Sequence, residues 1–100
     1  MQTIPKTCVI TGASAGIGKA TAIALAKLGY TIALLVRDSD KSRTAYEEIK
    51  TESGSSAIKM FHVDLSSFAS IRSVVEELSS EYSHLDILIN NAGVLKRKAE

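Results

Sequence analysis

The stretch Thr11-Gly12-Ala13-Ser14-Ala15-Gly16-Ile17-Gly18 decides how this chain of 100 residues is read. It follows a short run rich in β-branched residues, Thr7-Cys8-Val9-Ile10. It opens a segment in which Ile17, Ala20, Ala24, Leu25 and Leu28 recur at 3.6-residue spacing, with Gly29 where a left-handed C-terminal cap belongs. A glycine loop between a strand and a helix can seat an anion, because free backbone N–H groups and the positive end of the helix dipole point at it. Gly12 permits the sharp turn, small residues through Gly16 and Gly18 let backbone and phosphate come close, and Ser14 adds a hydroxyl. Two related phosphate motifs fail. Gly18-Lys19 resembles the end of a Walker A loop, but Ala20 replaces its Ser or Thr and Ala13 its first glycine. The G-x-G-x-x-G spacing is also missed, since three residues separate Gly12 from Gly16.

Outward from the loop, two hydrophobic periods take turns. Residues 31–36, 57–63 and 85–89 are short, mostly apolar runs and read as three further strands. Runs such as 32–36 lack in/out alternation, which points to a parallel sheet covered on both faces. A second helix is expected over about residues 39–52, with Ala45, Ile49 and Tyr46 inward and Gly54 beyond its end. A third carries the stripe Ile71, Val74, Val75, Leu78 and Tyr82, opened by Ser66 or Ser67 as N-cap. Strict alternation with right-handed crossovers gives βαβαβαβ in one α/β domain over residues 1–100, a doubly wound parallel sheet with strand order 3-2-1-4. Ser53-Gly54-Ser55-Ser56 is a helix-to-strand turn, too short for a domain linker.

Composition narrows the function classes. Twelve basic and eleven acidic residues give a net charge of +1 with no block of one sign, so neither a nucleic acid nor an anionic membrane surface is the expected partner. A small molecule is. The single cysteine, Cys8, excludes an internal disulfide and a cysteine-based zinc site, and suits a reducing compartment, with the cytoplasm as the default expectation. No stretch approaches the ~20 apolar residues of a membrane span. His62 and His84 lack metal-ligand spacing, so no metal site is expected.

Three further features sit at strand ends: Arg37-Asp38 after the second, Asp64-Leu65 after the third and Asn90-Asn91-Ala92-Gly93 after the fourth. Ligands of open α/β sheets bind at the carboxyl ends of strands. With this T-G-x-x-x-G-x-G loop, the sequence resembles the short-chain dehydrogenase/reductase family over nearly its whole length. The resemblance implies a Rossmann-type sheet and a nicotinamide dinucleotide held by Thr11, Gly12, Ser14, Gly16, Ile17 and Gly18. It also places Asp64 and Leu65 at the adenine, and Asn91, Ala92 and Gly93 by the nicotinamide ribose, with Asn90 as a structural brace. On residue chemistry alone, Asp64 can accept from an adenine amino group or cap the third helix.

The second strand's tip bears on which dinucleotide is bound. An acid there accepts the ribose hydroxyls of NAD, whereas a base pairs with the 2′-phosphate of NADP. Val36 carries no carboxylate and Arg37 can lay its planar fork on a phosphate, which favours NADP. Asp38, twenty positions after Gly18, keeps NAD open or caps the second helix, and Ala15 stands where NADP-binding members often carry a second base.

Members of the family move hydride between nicotinamide and a carbonyl or alcohol carbon, using a tyrosine and lysine spaced Y-x-x-x-K. Tyr46 and Lys50 match that spacing, but on the second helix, remote from the expected nicotinamide, where a solvated helix face is the better reading. No catalytic residue is therefore assigned. The chain reads as the N-terminal, cofactor-binding half of a longer domain, inactive alone and with the fourth strand left as an apolar edge. The Arg37-Asp38 tip and the N-N-A-G segment look most like members acting on retinoids, steroids or other lipophilic carbonyls. A homo-oligomer of the full-length protein is compatible with this reading. A dinucleotide sensor without chemistry is the alternative, and a methyltransferase gives the N-N-A-G segment no role.

Overall fold

The computed structural model describes residues 6–90, and four parallel strands form its centre: β1 (Thr7–Thr11), β2 (Thr31–Val36), β3 (Ile58–His62) and β4 (Ile87–Asn90). Their order is β3-β2-β1-β4, as the sequence predicts. β1 pairs with β2 from Thr7 opposite Thr31 to Thr11 opposite Leu35, and with β4 from Cys8 opposite Ile87 to Thr11 opposite Asn90. β2 pairs with β3 from Ile32 opposite Ile58 to Val36 opposite His62. The chain thus runs outward from β1 through β2 to β3, then crosses back to place β4 on β1's other side. That reversal makes the carboxyl ends of β1 and β4 the switch point of the sheet, where such folds form a crevice.

Alternation along the strands sends side chains to two cores. Cys8, Ile10, Ile32, Leu34, Val36 and Ile58 meet Ala22 and Ala26 of α1 (Gly16–Lys27) and Ile49 of α2 (Asp40–Ser53) on one face. Val9, Ala33, Leu35, Phe61 and Val63 meet Val74 and Leu78 of α3 (Phe68–Glu81) on the other. Because both faces are covered, the β1 and β2 runs carry no polar alternation. Lys59 and His62 of β3 and Leu88 of β4 are exposed, as befits the outer strands of the described sheet. Burial pushes the Cys8 thiol's pKa up.

The helix ends follow their local chemistry. Ser39 caps α2 by accepting from the Ser42 amide at 3.1 Å, and Ser67 caps α3 by accepting from the Ser70 amide at 3.1 Å. Of the two serines open at the third helix, Ser67 is the cap, and at the second the cap is Ser39, not Asp38. Helix α1 ends in a paired C-terminal turn: the Gly29 amide donates to the Ala26 carbonyl and the Tyr30 amide to the Leu25 carbonyl, with Gly29 at φ 94°. Gly54 closes α2 at φ 70°.

The face of α1 departs from the sequence expectation, and that of α3 follows it at all but one position. Helix α1 buries Gly18, Ala22 and Ala26, while Ile17 and Leu28 are 79% and 72% exposed and Ala20 and Ala24 also face outward. The helix lies on the sheet by its smallest residues, and of the stripe expected from spacing Leu25 alone packs against the core, half-buried. In α3, Val74 and Leu78 are buried and Ile71 is half-buried, as is Tyr82 just past the helix end; of the expected stripe Val75 alone is exposed. Tyr82 packs edge-on against Phe61, ring centroids 6.1 Å apart, and burial, then the Glu81 charge, raises its phenol pKa. No described helix is long and apolar enough to cross a membrane.

Candidate cofactor-binding site

All the described strand-end residues named from the sequence gather at the carboxyl edge of the sheet. The site begins at Thr11, the last residue of β1, which is buried. Its hydroxyl donates across the switch point to the Asn90 side-chain oxygen at 3.0 Å and also approaches the Ile89 carbonyl at 3.4 Å. That bond ties the tip of β1 to the tip of β4, so Asn90 is the brace that the family resemblance implies, and Thr11 supports the loop from below.

The loop then turns out of the sheet. The Gly12 amide still pairs with the Leu35 carbonyl at 3.3 Å, but its φ of 65° lifts the chain away. Ala13 is buried in the core and anchors the turn, leaving Ser14 half-buried. Ala15, extended, is the N-cap of α1 and carries no side-chain acceptor. Gly16 follows at φ 61°, and an added Cβ there would meet nothing within 4 Å, so its glycine is required by backbone conformation, not by space. The first turn of α1 holds no acidic residue. Among the described residues no side chain therefore caps or neutralises the N–H groups and positive dipole end of the helix, as an anion site requires. Lys19 does not serve the loop: it forms an ion pair with Glu48 of α2. Gly18, buried in the first turn, lets α1 approach the sheet, whereas Ile17 beside it stands open to solvent.

A notch of about 320 Å³ lies between the ends of β2 and β3, lined by Arg37, Asp38, His62, Val63, Asp64 and Ser70. Arg37 is exposed and makes no ion pair among the described residues, although its charge reaches Asp64. Asp38 is occupied: its Oδ1 accepts from Arg43 Nη1 at 2.6 Å and lies 3.9 Å from His62 Nε2. Asp64 builds the turn into α3. Its Oδ1 accepts from the Ser66 hydroxyl at 2.6 Å and the Ser66 amide at 3.0 Å, and its own amide donates to Ser70 Oγ at 2.8 Å. The Ser66 hydroxyl, the Ser66 amide and the charge of Arg37 hold the Asp64 carboxyl below the ordinary aspartate range. Asp64 thus orders the loop ahead of α3, and the capping considered for it is done by Ser67: its carboxylate bonds go to Ser66, outside the helix, and its second oxygen appears in neither of them. Leu65 beside it is half exposed.

Asn91, Ala92 and Gly93 lie outside the described residues. The Tyr46–Lys50 pair is a packing contact and not a freely solvated face: the Tyr46 hydroxyl donates to the Ile58 carbonyl at 3.3 Å, and Lys50 Nζ lies 4.8 Å from the ring centroid. His84 is 3.3 Å from Asp86, at the opposite edge of the sheet. Among the described residues no cluster could hold a metal ion. Sequence reasoning missed the Thr11–Asn90 bond and the Arg43 clamp, since each depends on how distant or helical neighbours are aimed.

The family model for short chain dehydrogenases matches residues 6–100. The chain belongs to the short-chain dehydrogenase family. It is 44% identical over 95 residues to human retinol dehydrogenase 13, covering 94% of this chain and 29% of that one, and 42% identical over 90 residues to mouse retinol dehydrogenase 11 (90% and 28%). It therefore spans less than a third of the length of these relatives. Among solved structures it matches L-sorbose reductase from Gluconobacter frateurii, complexed with NADPH and L-sorbose, with a TM-score of 0.77 and 38% identity, covering 90% of this chain and 34% of that one. Menthone neomenthol reductase from Mentha piperita gives 0.80 and 31%, covering 92% and 33%. The strand order and the loop described above are thus those of a short-chain dehydrogenase fold.

Proposed function

We propose that the protein is an NADP(H)-dependent oxidoreductase acting on a carbonyl or alcohol carbon, and that residues between 11 and 93 hold its cofactor. The observation that carries this is the acid-free N-terminus of α1, set behind Gly12 and Gly16 at the switch point, with Arg37 on the neighbouring strand end in no ion pair among the described residues. In this reading the amides of residues 14–18 and the Ser14 hydroxyl take the pyrophosphate. Asp64 and Leu65 take the adenine, Arg37 the ribose 2′-phosphate, and Asn91, Ala92 and Gly93 the nicotinamide end. Such a cofactor supplies or receives hydride when bound. The chain's own part is to seat its phosphates, fix its ribose and keep it in register with the sheet through Thr11 and Asn90.

NADP in preference to NAD is supported by the same notch, where the base has no ion-pair partner among the described residues and the acid is held by Arg43. The NADPH complex of the sorbose reductase agrees in direction. A small lipophilic alcohol or aldehyde is the proposed substrate class, on the likeness to the retinol dehydrogenases. A cytoplasmic setting and a homo-oligomer of the whole protein belong to the same proposal. Replacing Arg37 by alanine tests it: removing one charge-assisted contact should weaken NADPH binding roughly 10- to 100-fold and leave NADH binding little changed. An unchanged preference contradicts the assignment.

A further inference from the structure

Asp38 presents a problem for the cofactor reading, because an acid at the end of β2 is what an NAD ribose would bind and what a 2′-phosphate would avoid. The structure assigns the solution to Arg43: we propose that Arg43 is a specificity-determining residue that acts by holding Asp38, so that Arg37 alone reads the cofactor's ribose.

The geometry is that of a two-sided clamp. Arg43 Nη1 meets Asp38 Oδ1 at 2.6 Å and Nη2 meets Asp40 Oδ1 at 2.5 Å, so the planar fork is spent on two carboxylates. The same Asp38 oxygen lies 3.9 Å from His62 Nε2. The clamp is placed by the start of α2: Ser39 caps the helix, and the Arg43 amide donates to the Ser39 carbonyl at 3.1 Å, which sets the guanidinium over the first turn and back toward Asp38. Asp38 and Arg37 line one notch, so the state of one carboxylate is felt where the ribose is read. A carboxylate engaged by Arg43 offers fewer acceptor sites to ribose hydroxyls and less repulsion to a phosphate dianion.

The clamp is exposed, with Arg43 and Asp38 side chains 52% and 65% open, so it adds little to stability and its loss should leave the fold intact. This proposal rests on the dinucleotide reading above, and its test separates the two. Dissociation constants for NADPH and NADH would be measured by nicotinamide fluorescence for the native protein, Arg43→Gln, Asp38→Asn, Arg43→Gln with Asp38→Asn, and Arg37→Ala. Freeing the carboxylate in Arg43→Gln should shift the NADPH-to-NADH selectivity toward NADH by about 5- to 30-fold, the size of one charged contact, and the double variant should recover most of that. A ratio unmoved in Arg43→Gln overturns the proposal. So does a double variant as poor for NADPH as the single, which would mean that Arg43 touches the phosphate itself. Either result leaves the cofactor reading standing provided Arg37→Ala weakens NADPH binding. Native protein that binds neither dinucleotide overturns both.

Discussion

At φ 61°, Gly16 holds a conformation that costs an L-residue about 1–2 kcal/mol, while the space around it is open. Gly16→Ala should therefore destabilise the protein by that amount in a urea titration, and Gly16→Asn by less, because asparagine tolerates the left-handed region. Equal losses for both would implicate a steric clash that the structure does not contain. Asp64 makes a second prediction. Its folded pKa is depressed, so the turn it builds is fully supported above the unfolded value of about 3.9 and is lost only as pH falls through the lower folded value. A carboxyl carbon titration by NMR should place its midpoint below that of free aspartate, and Ser66→Ala should move it upward, since the Ser66 hydroxyl is the largest cause. Much at this scale was legible in the sequence: the loop glycines, Arg37 and Asp64 are recognisable from residue type and place. The Thr11–Asn90 bond was not, because it joins residues 79 apart and depends on parallel register. Nor was Arg43, whose meaning comes from the direction in which the first turn of α2 aims it.

At the scale of elements, packing by α1 separates size from hydrophobicity. Gly18, Ala22 and Ala26 let the helix settle on β1 and β2, and this close seat brings its N-terminus to the loop. Ala22→Leu should then cost about 1–3 kcal/mol through overpacking, whereas Ala24→Leu, on the exposed face, should stay within about 0.5 kcal/mol. Thermal unfolding of the two variants checks this, and equal effects would restore the face that spacing alone suggested. The caps offer a parallel test, with Ser67→Ala expected to lose about 1 kcal/mol. Helix existence was readable from the sequence to within a residue or two. The buried face of α3 was readable at all but Val75, whereas that of α1 was not, since a glycine and alanines are its contact surface.

For the whole molecule, the decisive property is topology. The order β3-β2-β1-β4 follows from short alternating elements and right-handed crossovers, and it alone puts the loop, Arg37, Asp64 and Asn90 on one edge of the sheet. Asp64 and Asn90 each have an ordinary structural use by themselves, so the gathering of all of these residues is what supports the cofactor reading. A competing surface exists in the cleft of about 280 Å³ lined by Val75, Leu78, Tyr82, His84 and neighbours at the end of α3. Amide chemical shifts followed while NADP⁺ is added decide between the two. Binding at the sheet's carboxyl edge should concentrate the shifts at Gly12 to Gly18, Arg37, Asp38, Asp64 and Leu65. Shifts centred on Val75, Tyr82 and His84, or none at saturating NADP⁺, would contradict it.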